Sequence, residues 1–246
     1  MLGFIYSVAS YVGFLATFVY LTWFSAGVGV PKTVDSGPVS SLGVAVIVDL
    51  GLVLLFGLQH SLMARTGFKR ALTRVVPAHL ERATYVLASW LILALLMWQW
   101  RALPVPLWQV ENPRVAAALW LVNAVGWLGV PATSLMIDHF DLFGLKPAFN
   151  GWRHASLQRK GFVTPLLYKY VRHPMMTSVL IGLWVTPHMT LGHLLLSLGM
   201  SAYVVIGVHF EERSLVRELG QPYVDYQTST PKFVPGRAPT RLPVRT

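Results

Sequence analysis

Two charged clusters stand at the two ends of one long apolar stretch late in the sequence. The first is the run Arg172-His173-Pro174 and the second is the pair Glu211-Glu212. Proline is favoured at the first position of a helix, where free backbone N–H groups and the helix dipole attract anions. Together with Arg172, such a helix start predicts a carboxylate-binding site. The two glutamates have two possible uses: they can bind an ammonium group or hydroxyl groups of a ligand, or they can pair with Arg172 inside the protein.

A second set of polar residues adjoins other apolar stretches. His60 lies near the end of one stretch, and Asp138, His139 and Asp141 directly follow another. An imidazole with an unperturbed pKa of about 6.5 can act as a base near pH 7, particularly when a carboxylate fixes its tautomer. The alternatives are structural: the histidines can be interfacial hydrogen-bonding residues, and Arg172 with His173 can be a basic membrane anchor.

The composition indicates the class of protein in which these groups must be positioned. The chain has 246 residues, of which 54% are hydrophobic and 12% are charged. Since soluble domains have about 25% charged residues, we predict an all-α polytopic membrane protein. The net charge of +10 comes from basic residues in the loops, where membrane topology explains it without nucleic acid. There are no cysteines, and no metal site is expected.

The hydropathy pattern predicts four membrane spans followed by a hairpin of two helices. The predicted spans are residues 3–24, 42–63, 84–100 and 115–137. A single helix over the next apolar stretch, 175–210, would be about 50 Å long, whereas the hydrocarbon core is about 30 Å thick. We therefore expect it to fold back near Pro187 and Gly192, which brings the two charged clusters to the same membrane face.

The distribution of basic residues predicts the topology. The loop 64–83 and the segment 138–170 are rich in Lys and Arg, so both are expected on the cytoplasmic side, together with both termini. The chain is interpreted as one domain, with a four-span scaffold over 1–137, a cofactor loop, hairpin and cytoplasmic tail over 138–236, and a disordered end over 237–246.

The last part of the chain resembles the isoprenylcysteine carboxyl methyltransferase and phospholipid methyltransferase superfamily. The resemblance rests on Arg172-His173-Pro174, on the run EERSL at 211–215, and on the tail residues Gly220, Tyr223, Tyr226, Pro231, Phe233 and Pro235. It implies an integral membrane enzyme that uses S-adenosylmethionine. It also implies a set of cofactor-binding residues: Tyr168, Arg172, His173, Pro174, Glu211, Glu212, Tyr223 and Tyr226. Tyr223 and Tyr226 could pack over the adenine or belong to a helix on the membrane interface.

One departure from the superfamily pattern concerns the methyl acceptor. Many members have a tyrosine two residues after the proline of Arg-His-Pro, whereas Met176 occupies that position here. The acceptor therefore does not follow from the superfamily alone.

A narrower resemblance covers nearly the whole length. The runs QHSLMAR at 59–65 and DHFDLFGL at 138–145 are similar to those of the bacterial methanethiol S-methyltransferase family. This implies methyl transfer from S-adenosylmethionine to methanethiol, giving dimethyl sulfide, at a site on the cytoplasmic side of the bacterial inner membrane. The thiolate is the nucleophile, so a base is needed. His60 is favoured as that base, with Asp138 or Asp141 and His139 completing the pocket; the reverse assignment, with His139 as the base, is nearly as good.

Two other functions remain open from the sequence. The same cofactor could serve an isoprenylated or phospholipid acceptor, which requires a wide lateral opening between helices. Alternatively, the chain could be a non-enzymatic membrane component of a redox or denitrification system, which would not need Arg172, His173 and the two glutamates together. In every case membrane lipids are expected partners, and the oligomeric state does not follow from the sequence.

Overall fold

A computed structural model describes residues 1–38, 40–153, 155 and 162–235. The helices are α1 (Leu2–Ala26), α2 (Leu42–Met63), α3 (Thr66–Leu72), α4 (Glu81–Gln99), α5 (Pro113–Ile137), α6 (His139–Leu142), α7 (Leu145–Trp152), α8 (Pro174–Trp184), α9 (Leu191–Leu219) and α10 (Gln221–Ser229). Short 3₁₀ turns occupy Ala78–Leu80 and Leu166–Lys169. The predicted disordered end, residues 237–246, lies outside the described residues.

The prediction of a polytopic helical membrane bundle is confirmed. Within the described part of the chain, five helices are long and apolar enough to cross a membrane: Leu2–Ala26, Leu42–Met63, Ala78–Gln99, Pro113–Ile137 and Leu191–Leu219. The second has the predicted bounds, and the other predicted spans differ from the observed helices by a few residues at their ends. The structure adds one small sheet, in which β1 (Pro106–Gln109) pairs antiparallel with β2 (His188–Thr190).

The first arm of the hairpin is held by close packing between α5 and α8. A Cβ atom added at Gly126 of α5 would lie 2.6 Å from the backbone nitrogen of Gly182 in α8, so the two backbones touch at glycine. Asn123 Nδ2 donates to the carbonyls of Gly182 and Val185, at 2.8 and 2.9 Å, which satisfies acceptors at the end of α8. These contacts fix α8, and with it the residues at its start.

The hairpin itself differs in shape from the prediction. The chain does fold back, and Pro187 lies in the break, but α8 has only 11 residues and is therefore about 16 Å long. The chain returns through β2 before α9 begins. Pro174 is the first residue of α8, as predicted.

Gly192 does not make the turn, contrary to expectation. It lies in the first turn of α9, which is capped by Thr190, whose Oγ1 accepts from the backbone N–H of His193 at 3.1 Å. A Cβ atom at Gly192 would lie 3.2 Å from the carbonyl oxygen of Val34. Glycine is therefore needed here because another loop approaches the helix closely.

The second helix of the hairpin extends beyond the apolar stretch and beyond Glu211 and Glu212. The helix α9 continues to Leu219, so both glutamates lie inside it. Gly220 then adopts a positive φ of 64°, which glycine tolerates, and the chain turns into α10. The tail is thus folded back toward the start of α8.

Asp49, an acid within the second span, is completely buried in α2. Its Oδ1 accepts a hydrogen bond of 2.9 Å from the backbone N–H of Arg101. This contact agrees with a structural hydrogen-bonding role for Asp49, since a buried carboxylate needs partners.

Candidate functional site

The hairpin brings the two charged clusters into direct contact at the start of α8. Glu212 Oε1 accepts from Arg172 Nε at 2.8 Å and lies 3.0 Å from His173 Nε2, while Glu212 Oε2 lies 3.0 Å from Lys232 Nζ. The Glu212 side chain is only 8% exposed. Both of its oxygens are therefore engaged inside the protein, in a buried charge network.

Arg172 also fastens the tail to the hairpin. Its Nη1 donates to the carbonyls of Gln227, at 2.8 Å, and of Thr230. Its backbone N–H donates to the carbonyl of Pro231 at 2.9 Å. Of the three uses that the sequence left open for Arg172, namely a carboxylate site, a membrane anchor and internal pairing, the contacts are those of internal pairing, since this guanidinium binds Glu212 and backbone carbonyls.

The neighbouring Glu211 has a different environment. Its side chain is 50% exposed, and within the described part of the chain it forms one ion pair, with His173 Nδ1 at 3.7 Å, which is beyond hydrogen-bonding distance. The carboxylate is within electrostatic reach of the phenols of Tyr85, Tyr168 and Tyr203. Among the described residues, Arg172 and Lys232 neutralise Glu212 and not Glu211, so Glu211 keeps a half-exposed carboxylate.

The predicted aromatic residues of the tail are packed inside it. Tyr223 and Tyr226 are buried, their ring centroids are 5.8 Å apart, and Phe162 lies 5.8 and 5.4 Å from them, respectively. The Tyr226 hydroxyl donates to the carbonyl of Tyr168. Burial raises the pKa of Tyr226 to about 12 and also raises the pKa values of Tyr168 and Tyr223, so all three phenols stay protonated at pH 7. Their observed contacts hold α10 against the preceding loop.

His60 presents one free ring nitrogen. Its Nδ1 lies 3.1 Å from Ser89 Oγ, and the Ser89 hydroxyl donates its single proton to the carbonyl of Tyr85 at 2.8 Å. Ser89 must therefore accept from His60, which places the ring proton on Nδ1. Nε2 then carries the lone pair, and it makes no hydrogen bond within the described part of the chain. This arrangement is that of a neutral imidazole whose Nε2 is a hydrogen-bond acceptor.

His139 is satisfied on both sides. The Ser134 hydroxyl donates to the carbonyl of Pro131 at 2.8 Å, so it accepts from His139 Nδ1 at 2.7 Å. His139 Nε2 then accepts from the Tyr11 hydroxyl at 2.6 Å. Burial lowers the pKa of His139, which keeps the ring neutral. Since both nitrogens are used in holding α1 against α5, this residue has no open position for a substrate proton.

The predicted acids Asp138 and Asp141 make ion pairs near the turn between α5 and α7. Asp138 Oδ2 lies 2.9 Å from Lys146 Nζ, and Asp141 pairs with Arg82. The expected carboxylate behind His60 is replaced by the hydroxyl of Ser89. The contacts of His60 lie on α4 and α9, whereas those of His139 lie on α1 and α5.

Three residues that contact His60 were not predicted from the sequence. Tyr85 and Ser89 lie four positions apart on α4, and Tyr203 lies on α9; the rings of both tyrosines contact the imidazole. The spacing of Tyr85 and Ser89 on one helical face was the available signal. The same two tyrosines also interact electrostatically with Glu211.

These features define a polytopic helical membrane protein with a charged site at one end of a helical hairpin. This end, where the start of α8 meets Glu211 and Glu212 of α9, is called the hairpin mouth below. The family model described as NnrU protein matches residues 49–236. The chain belongs to this family, and it is similar over nearly its whole length to curated methanethiol S-methyltransferases.

Three of these relatives illustrate the similarity. Methanethiol S-methyltransferase 2 of Bradyrhizobium diazoefficiens is 46% identical over 94% of this chain and 89% of its own length. The enzyme of Mycobacterium tuberculosis is 44% identical over 94% and 95%, and that of a Pseudomonas species is 45% identical over 97% and 92%. No solved structure matches the chain.

Proposed function

We propose that this protein is an S-adenosylmethionine-dependent methyltransferase that methylates methanethiol to dimethyl sulfide. The observation that carries the proposal is that two groups are open to a ligand: Nε2 of His60, which makes no hydrogen bond to the described residues, and the half-exposed carboxylate of Glu211. A thiol methyltransferase needs both a base for the acceptor and a polar site for the cofactor. The relatives, which are named methanethiol S-methyltransferases, support the same acceptor.

The open groups at the hairpin mouth fit the polar ends of S-adenosylmethionine. Glu211 suits the ammonium group or the ribose hydroxyls of this cofactor. The helix α8 begins at Pro174 without a side-chain cap, so its first N–H groups suit the cofactor carboxylate. S-Adenosylmethionine would supply an electrophilic methyl group on a sulfonium sulfur, so that it and methanethiol give dimethyl sulfide, S-adenosylhomocysteine and one proton.

The other predicted cofactor residues have supporting roles in this proposal. Arg172, His173 and Glu212 hold the start of α8, the helix α9 and the tail in one arrangement. Tyr168, Tyr223 and Tyr226 keep α10 in place. Because these contacts already fix the start of α8 and the tail, less conformational entropy is lost when a ligand binds there.

His60 accepts the thiol proton at Nε2 in the proposed reaction. A simple alkyl thiol is mostly protonated at neutral pH, and its thiolate is the nucleophile. The Nδ1–H bond to Ser89 keeps the imidazole in the tautomer whose Nε2 can act as a base. Glu211 and α8 position the cofactor, so that most of the rate acceleration comes from proximity and from deprotonation.

A labelling experiment tests the function directly. Membranes containing the protein are incubated with methyl-labelled S-adenosylmethionine and methanethiol, and we expect labelled dimethyl sulfide in the headspace. The matched control is membrane containing the His60→Ala variant. Cofactor binding without any volatile product would point instead to an isoprenylated or phospholipid acceptor, and absence of cofactor binding would support the non-enzymatic alternative.

The topology is proposed from the positions of basic residues. Arg65, Lys69, Arg70 and Arg74 follow α2, whereas the opposite ends of the spans carry Lys32, Arg101 and Arg114. By the positive-inside rule, the hairpin mouth and both termini face the cytoplasm of a bacterial inner membrane. We expect a reporter fused after Thr246 to be active only in the cytoplasm. Activity confined to the outer side would reverse the orientation.

A further inference from the structure

The His60 imidazole is enclosed by aromatic rings from three helices. Phe56 of α2 lies 5.3 Å from it, Tyr85 of α4 lies 4.7 Å from it, and Tyr203 of α9 lies 5.8 Å from it, all between ring centroids. A molecule that gives its proton to this imidazole therefore comes close to these rings. We propose that Phe56, Tyr85 and Tyr203, the aromatic cage, determine acceptor specificity by admitting only a small alkyl thiol. This inference rests on the proposed function.

The walls of the aromatic cage are fixed by packing. Phe56 is buried, and its ring lies 5.5 Å from that of Tyr203. Behind Tyr203, a Cβ atom at Gly57 would come within 3.1 Å of its Cδ2, so this ring already rests against the backbone of α2. Tyr203 cannot withdraw toward α2 to make room for a longer chain. The space at Nε2 is therefore limited by rings that are held in place from behind.

The chemistry of the cage suits a small sulfur compound. Thioether and thiol sulfur makes favourable contacts with aromatic rings at about 5 Å. A rigid apolar wall discriminates by size, and one additional methylene changes the specificity of such pockets by about 10–200-fold. Methanethiol has one carbon beside its sulfur, so each further methylene brings the substrate closer to these rings. A lipid acceptor, which is far larger, would be selected against in the same way.

The test compares methanethiol with 1-propanethiol in the full-length protein in lipid nanodiscs. For wild type, kcat/KM should favour methanethiol by at least about tenfold. Tyr203→Ala should lower that preference by about tenfold or more, because removing the ring opens the wall. Tyr203→Phe retains the ring and should retain the preference, so it is the matched control. Tyr85→Ala is a second widening variant in case Tyr203→Ala fails to fold.

A binding measurement separates this inference from the proposed function. Saturation-transfer NMR reports contact between 1-propanethiol and the protein without cofactor or turnover, and contact should appear in Tyr203→Ala or Tyr85→Ala but not in wild type or Tyr203→Phe. Wild type that methylates methanethiol while the widened variants keep its preference would overturn the cage and leave the function standing. Wild type without methyl transfer would overturn the function, and the NMR comparison would then decide whether the cage selects thiols by size.

Discussion

Replacing His60 with alanine is expected to lower methyl transfer to methanethiol by about 10²–10⁴-fold at pH 7. The variant loses the only proton acceptor proposed for the thiol, Nε2 of this imidazole. Cofactor affinity should stay near that of wild type, because Glu211 and the start of α8 are unchanged. The deficit should shrink as the pH rises, since a growing fraction of the thiol is then already ionised. Initial rates across pH and equilibrium binding of S-adenosylmethionine measure both effects.

The control for this experiment is His139→Ala. His139 is bonded at both ring nitrogens, to Ser134 and Tyr11, so its loss should reduce stability without changing the pH profile of the rate. Full activity of His60→Ala at pH 7, with a slow His139→Ala, would transfer the role of base to His139. Full activity in both single variants and in the double variant would exclude a histidine base.

Glu212→Gln is expected to reduce the free energy of unfolding by about 3–5 kcal/mol. The substitution removes the negative charge from a buried network and leaves Arg172, whose side chain is 9% exposed, without its charged partner. The contacts of Arg172 with the tail depend on that geometry, so the tail should loosen as well. Denaturant titration of the purified protein in mixed micelles measures the loss.

The adjacent substitution Glu211→Gln is the matched comparison. It should leave the stability nearly unchanged and lower the affinity for the cofactor. Because the Glu211 side chain is half exposed and its ion pair with His173, the one present among the described residues, is 3.7 Å long, we expect a stability change within about 0.5 kcal/mol. Cofactor affinity should fall more than tenfold, as for loss of a charge-assisted hydrogen bond of about 1.5–3 kcal/mol. Equal loss of stability in both variants, or unchanged cofactor affinity in Glu211→Gln, would contradict the proposed division of roles.

The membrane spans and the hairpin could be predicted because they depend on local properties. An apolar run of sufficient length must cross or fold back, and α2 has the predicted bounds of Leu42–Met63. The position of Pro174 at the start of α8 follows from its fixed φ angle and missing N–H. Charged residues at the two ends of one hairpin must meet, which placed Arg172 and Glu212 together. The short length of α8 was not predictable, since β2 and the loops around it complete that arm.

By itself the sequence determined the class of protein, the helical hairpin and the residue types at its mouth, because hydropathy, proline and charge act over short stretches of chain. Only the tertiary structure decided which of two chemically identical glutamates is held by Arg172 and Lys232, since that depends on where these two side chains reach α9. It also distinguished His60 from His139, because the partners of an imidazole come from other helices. Contacts between distant positions follow from helix packing, and packing is a property of the whole fold rather than of any one stretch of sequence.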